Sequence, residues 1–192
     1  MDRKERKFLG FRQMTENLPC IAGETECPYI VTLLRQDLAT AGRPGRITSR
    51  VGPTRRLHRT DFEYATNLAS VPMTALVVGE KVTFFDETGV VCGTFPCPNN
   101  KRRYAQHTYD EYGNRVQTVS HGDQDSPDDE TTTVWTFRPN TSLYIVDRVA
   151  VEQQFAGVGT GGAKLAERDF FYDNAASAEQ PPTKGDVTKS RG

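Results

Sequence analysis

Tyr109-Asp110-Glu111-Tyr112-Gly113-Asn114-Arg115-Val116 is the stretch that decides how this chain folds. A strand closing on Tyr109 can lay the phenol ring on its own sheet. Asp110 then has a carboxylate short enough to accept hydrogen bonds from backbone amides two or three residues on, an Asx-type turn. Gly113 and Asn114 are the residue types that tolerate positive φ in a tight turn, and Val116-Gln117-Thr118-Val119 resumes as a strand. The stretch predicts a β-hairpin with its bend at Gly113.

Outward from this hairpin the same grammar recurs. An aromatic residue followed by Asp also closes Phe84-Phe85-Asp86 and Phe171-Tyr172-Asp173. Period-two alternation marks Leu57–Tyr64, Glu80–Phe85, Thr131–Phe137, Val149–Phe155 and Ala166–Tyr172, the pattern of half-buried strands. In Leu57–Tyr64, Thr60, Phe62 and Tyr64 share one face, and Arg59, Asp61 and Glu63 the other. Turn signals separate the runs: Gly52-Pro53, Asp86–Gly89, Pro98–Asn100, Gly113-Asn114, Ser126–Asp129, Arg138–Asn140, Gly157–Gly162 and Gln180–Pro182. Helical spacing survives only in Val31–Ala41, and Tyr29-Ile30-Val31-Thr32 beside it favours an extended chain. Strands joined by turns over residues 1–192, with no separate second domain, make an all-β chain of successive antiparallel hairpins.

Composition bounds what such a chain does. Its 192 residues carry 24 Lys+Arg against 25 Asp+Glu, a formal net charge of -1, without the basic excess of a nucleic-acid binder. The longest aliphatic run is Ala75-Leu76-Val77-Val78, far short of the ~18 apolar residues of a membrane span. Met1–Lys7 leads into no apolar segment, so no cleaved secretory signal is expected. Apolar residues make up 36%, which predicts a thin core, or one completed by packing against something else.

The Tyr109–Val116 motif resembles the YD-repeat (Rhs-type) family, in particular the shell region of bacterial toxin-complex and Rhs proteins, relatives of the teneurin shell. Phe8–Arg12, Arg35–Leu38 with Ala41–Pro44, Asp61–Tyr64, Pro139–Thr141 with Tyr144–Arg148, Phe171–Asp173 and Pro181–Asp186 extend the likeness along most of the chain. The resemblance implies a curved, open antiparallel sheet whose hairpins stack edge to edge into a hollow shell around a C-terminal effector. It implies a secreted or extracellular setting, and as partners the remainder of the parent shell and its enclosed effector. The family's aspartate-based self-cleaving core has no counterpart among these residues, and the expectation is that no variable effector follows Lys189–Gly192. The expectation is a piece of a shell with unpaired edges: a non-catalytic wall, with no cofactor. The structural weight should fall on Tyr109, Asp110, Gly113, Asn114, Phe85, Asp86, Tyr172 and Asp173. The runner-up is an extracellular adhesion or carbohydrate-binding surface, with an aromatic platform around Trp135 and Tyr144.

The remaining chemistry-bearing residues leave alternatives open. Cys20 and Cys27 bracket one turn, Cys92 and Cys97 another, and three readings stand: two local disulfides, one four-thiolate zinc site with an unusually long first spacing, or free thiols. His107 and His121 flank the central hairpin and could approach across it, though two strand-surface histidines are the plainer reading. Asp123–Glu130 lacks the glycine and terminal glutamate spacing of a calcium loop. Gly157–Gly162 lacks the Lys-Ser/Thr of a phosphate loop, so both read as hairpin tips. Arg43, Arg46, Arg50, Arg55, Arg56 and Arg59 form a basic region with no acid before Asp61. A contact with an acidic effector or an anionic surface is possible there, but one solvated face of adjacent strands is favoured. No nucleophile, base and orienting group occur together, so an enzyme is not expected.

Overall fold

The structure, a computed structural model, describes residues 9–69, 73–85, 101–124 and 128–192. Eleven strands run in chain order: β1 (Gln13–Asn17), β2 (Pro28–Leu34), β3 (Pro44–Val51), β4 (Arg55–Asn67), β5 (Thr74–Phe84), β6 (Lys101–Tyr109), β7 (Arg115–Asp123), β8 (Thr131–Phe137), β9 (Val149–Ala156), β10 (Lys164–Tyr172) and β11 (Val187–Arg191). They form one open sheet in strict sequence order, β1 to β11, all-β as the alternation predicts. No helix among the described residues is long and apolar enough to cross a membrane.

Two compact units divide the chain, Met1–Tyr104 with Asp123–Asp125, and Ala105–Gly122 with Ser126–Gly192. In the first, β1 to β5 pair antiparallel with neighbours. Three irregularities here are bulges: Leu33 faces Arg46 while Leu34 faces Pro44, so Gly45 is an extra residue in β3. Ser49 faces His58 while Arg50 faces Arg56, so Leu57 is an extra residue in β4. Glu63 faces Gly79 while Tyr64 faces Val77, which makes Val78 the extra residue of β5. An inserted residue reverses the facing of everything beyond it on its own strand.

The Val31–Ala41 window is strand only as far as Leu34. Beyond it the chain turns, because Asp37 captures Thr40 twice. The Thr40 amide donates to Asp37 Oδ1 (2.9 Å), and the Thr40 hydroxyl to Oδ2 (2.5 Å). These bonds hold the Asp37 carboxyl below its ordinary pKa, the hydroxyl contributing most. Extended backbone therefore gives way where a side chain offers the amide a local partner.

In the second unit, β7 to β11 continue the antiparallel meander. Among the described residues of the whole chain, the buried apolar set is Leu9, Ala75, Ala150, Phe171 and Tyr172. The buried polar set is larger: Thr32, Thr40, Thr48, Ser49, Thr83, His107 and Thr132. The thin core expected from composition is thus a threonine-rich one, and none of its hydroxyls is among the buried side-chain atoms left without a partner among the described residues. Thr132, fully buried, donates to Gly157 O (2.8 Å) and accepts from the Gly159 amide (2.8 Å), tying β8 to the β9–β10 tip.

Candidate functional site

The β6–β7 turn forms as its sequence dictates. The Asp110 carboxylate accepts from the amides of Tyr112 (3.0 Å) and Asn114 (2.8 Å), and Gly113 has φ +85. Asn114, however, has no left-handed backbone. Its side chain is what matters: Nδ2 donates to Asp110 Oδ2 (2.9 Å) and to Val146 O (2.8 Å). The residue that was to bend the chain instead fastens the bend to the loop after β8. Tyr109 ends β6 with the Arg115 guanidinium 5.9 Å from its ring centroid, a cation–π stack across the hairpin.

Tyr172-Asp173 does related work by other means. Tyr172 is buried, and its hydroxyl donates to Val149 O (2.9 Å). Burial pushes its pKa above the ordinary value. Asp173 (φ +55) does not cap its own turn. Its Oδ2 accepts from the amides of Lys184 (2.8 Å), Thr183 (2.6 Å) and Gly185 (3.3 Å), and Oδ1 from Asp186 (3.1 Å). Four backbone donors, Lys184 foremost, hold this carboxyl far below the usual carboxylate range. The clasp closes the long β10–β11 connection. Phe85 follows β5, its amide donating to Leu57 O (2.9 Å); Asp86 lies outside the described residues.

Of the cysteines, Cys20 and Cys27 are bridged, with Cα atoms 4.8 Å apart, across the β1–β2 connection. Cys92 and Cys97 lie outside the described residues. His107 Nδ1 is 2.9 Å from Thr118 Oγ1 on the neighbouring strand β7. Burial lowers the His107 pKa, and the nearby Arg115 charge adds to this. No group of three His, Cys, Asp or Glu residues that could hold a metal converges among the described residues.

The aromatic platform takes a different form from the expected one. Trp135 is half-buried, with its indole N–H donating to Glu152 (2.7 Å). An open groove of about 330 Å³ runs beside it, lined by Asn114, Arg115, Trp135, Phe137, Asp147 and Val149. Tyr144, 77% exposed with φ +53, is not among the residues that line it. Phe137 takes the place assigned to Tyr144, because both Trp135 and Phe137 stand on β8, whereas Tyr144 lies in the turn Thr141–Tyr144. No family model, curated protein or solved structure matches the chain.

Proposed function

We propose that the chain is a non-catalytic wall, a piece of a YD-repeat shell that screens an enclosed polypeptide of a secreted bacterial toxin from water and proteases. The observation that carries this reading is the meander itself. Every strand pairs with its sequence neighbours, and the bends at Asp110 and Asp173 are locked by their own carboxylates. Hairpins with so few buried apolar side chains gain stability from being stacked, not from a private core. The Tyr-Asp strand ends that prompted the family resemblance are the positions where these locks sit.

The test is to recover the native polypeptide from its source cells with an antibody against this chain. The wall reading expects a product far larger than 21.4 kDa, whose downstream portion resists trypsin until the shell is denatured. A native product of the size of this chain, or a downstream portion cut as fast as a denatured control, overturns it. A second reading has one observation in its favour: the groove beside Trp135 and Phe137 combines aromatic walls with Asn114, Arg115 and Asp147, the mixture on which sugar rings stack and hydrogen-bond. Glycan-array binding lost on Trp135→Ala would favour an adhesion surface; an empty array removes it.

A further inference from the structure

The basic region of the sequence does not spread evenly over its strands. Arg46, Arg50, Arg56 and Arg59 line an open cavity of about 340 Å³ in the first unit, with Val31 and Leu33 as its apolar wall. Arg46 and Arg50 share a face of β3 by simple alternation. Arg56 and Arg59, three apart on β4, would face opposite sides of a regular strand. The Leu57 bulge corrects this: Arg50 pairs with Arg56, and Thr48 with Arg59, so all four guanidiniums rise from one face. Outward, the same cross-strand rows carry Val31 opposite Thr48 and Leu33 opposite Arg46.

The charges there are poorly compensated by the protein. Asp61 alone serves two of the four, with Oδ1 2.5 Å from Arg46 Nε and Oδ2 2.7 Å from Arg59 Nε. The Arg59 contact is out of line, so this buried N–H has no hydrogen-bond acceptor among the described residues. Arg50 is anchored from below by Pro53 O (2.9 Å), and Arg56 lies 5.9 Å over the Phe85 ring. Desolvation, and then the fields of Arg50, Arg59 and Arg46, lower the Arg56 pKa, as expected for like charges held together. A chain of net charge -1 has no general need for such a concentration. Guanidinium forks from two adjacent strands, aimed into a bowl the size of a small molecule, match the geometry of a tetrahedral oxyanion.

We propose that this cavity is a binding site for a small ligand bearing a multiply charged oxyanion, a phosphate or sulfate ester. The apolar wall of Val31 and Leu33 takes the ligand's carbon skeleton, and the four arginines take its charge. The site is independent of the wall reading, since a free-standing β-sheet would hold it equally well.

Isothermal titration of the full chain with pyrophosphate, at constant ionic strength, tests it. One-to-one binding is expected, weakened about tenfold or more by Arg59→Gln and by Arg56→Gln. Arg168→Gln, an exposed arginine of the second unit, removes the same charge and should leave the affinity unchanged. Absence of binding, or equal weakening by Arg168→Gln, overturns the proposal. Tighter binding of an oligoglutamate peptide than of pyrophosphate also overturns it, in favour of an acidic protein partner. Circular dichroism checks that each variant keeps its strands. If the Gln variants lose them, Arg56→Lys decides: it keeps the charge but not the fork, so severalfold weaker binding supports the site and unchanged binding sinks it.

Discussion

Three residues carry most of what is distinctive here, Gly113 through one torsion and Asp173 and His107 through one side-chain group each. Gly113, at φ +85, lies where a β-branched side chain is strained. Gly113→Val should therefore cost about 1–3 kcal/mol of stability, read as a lower urea midpoint at unchanged slope. His107 sets the upper part of the acid response, and Asp173, together with Asp37, the lower part. His107 is held below its ordinary value of 6.5, so on acidification the unfolded chain takes up this proton first. Its stabilising share is complete above that value and is lost as pH falls through the lower folded one. Asp173 is held below 3.8; its share is complete above that pH and fades only beneath it, softened by the water that reaches the carboxylate. Melting temperature against pH should thus decline in two steps. His107→Gln, which can still bond Thr118, should remove the step below about pH 6.5 and leave the lower one. Asp173→Asn should shrink the lower step alone, leaving the share that Asp37 contributes, and a single step abolished by either variant would contradict the assignment.

At the scale of the element, the exposed β1 depends on what ties it down. All five of its residues are solvent-exposed, and its sole strand partner is β2. The Cys20–Cys27 bridge closes a short loop between them, a constraint worth ~2–3 kcal/mol in the chain-entropy account. Reduction, or Cys20→Ser, should raise amide exchange at Met14–Asn17 by an order of magnitude or more while β8–β9 amides stay as they are. Uniform acceleration across the chain would mean that the bridge stabilises the whole fold instead. The same scale shows what the sequence could reveal. The hairpin at Gly113 was legible because every group that makes it lies within six residues, Tyr109 to Asn114. The Asp173 clasp was not, since its donors sit ten to thirteen residues on, in a loop whose path only the folded chain defines. The Leu57 bulge was less legible still. Alternation in Leu57–Tyr64 is regular, and the extra residue exists only relative to β3, so the convergence of Arg56 with Arg59 has no signature along the chain. Asn114 was singled out correctly and given the wrong task, because its bond to Val146 spans 32 residues.

Over the whole chain, every pair of strands in contact among the described residues is adjacent in sequence. That nearest-neighbour arrangement was foreshadowed by the even spacing of turns, and it has an energetic consequence. Where strands touch only their sequence neighbours among the described residues, stability becomes a sum of strand interfaces and should be lowest where a strand has one neighbour. β1 and β11 are those strands, and each is exposed at every residue. Their outer edges, without a strand partner among the described residues, also offer backbone groups to any other strand. Native-state hydrogen exchange should therefore rank β1 and β11 as least protected and β3–β4 and β8–β9 as most protected, each within its own unit. Sedimentation velocity should show association that grows with concentration. Met14→Lys and Val187→Lys, each placing a charge on an exposed edge position, should suppress that association without altering the exchange of the inner strands. A chain that exchanges uniformly and stays monomeric at high concentration would require a closed or capped sheet, and with it a different account of why so few apolar side chains suffice.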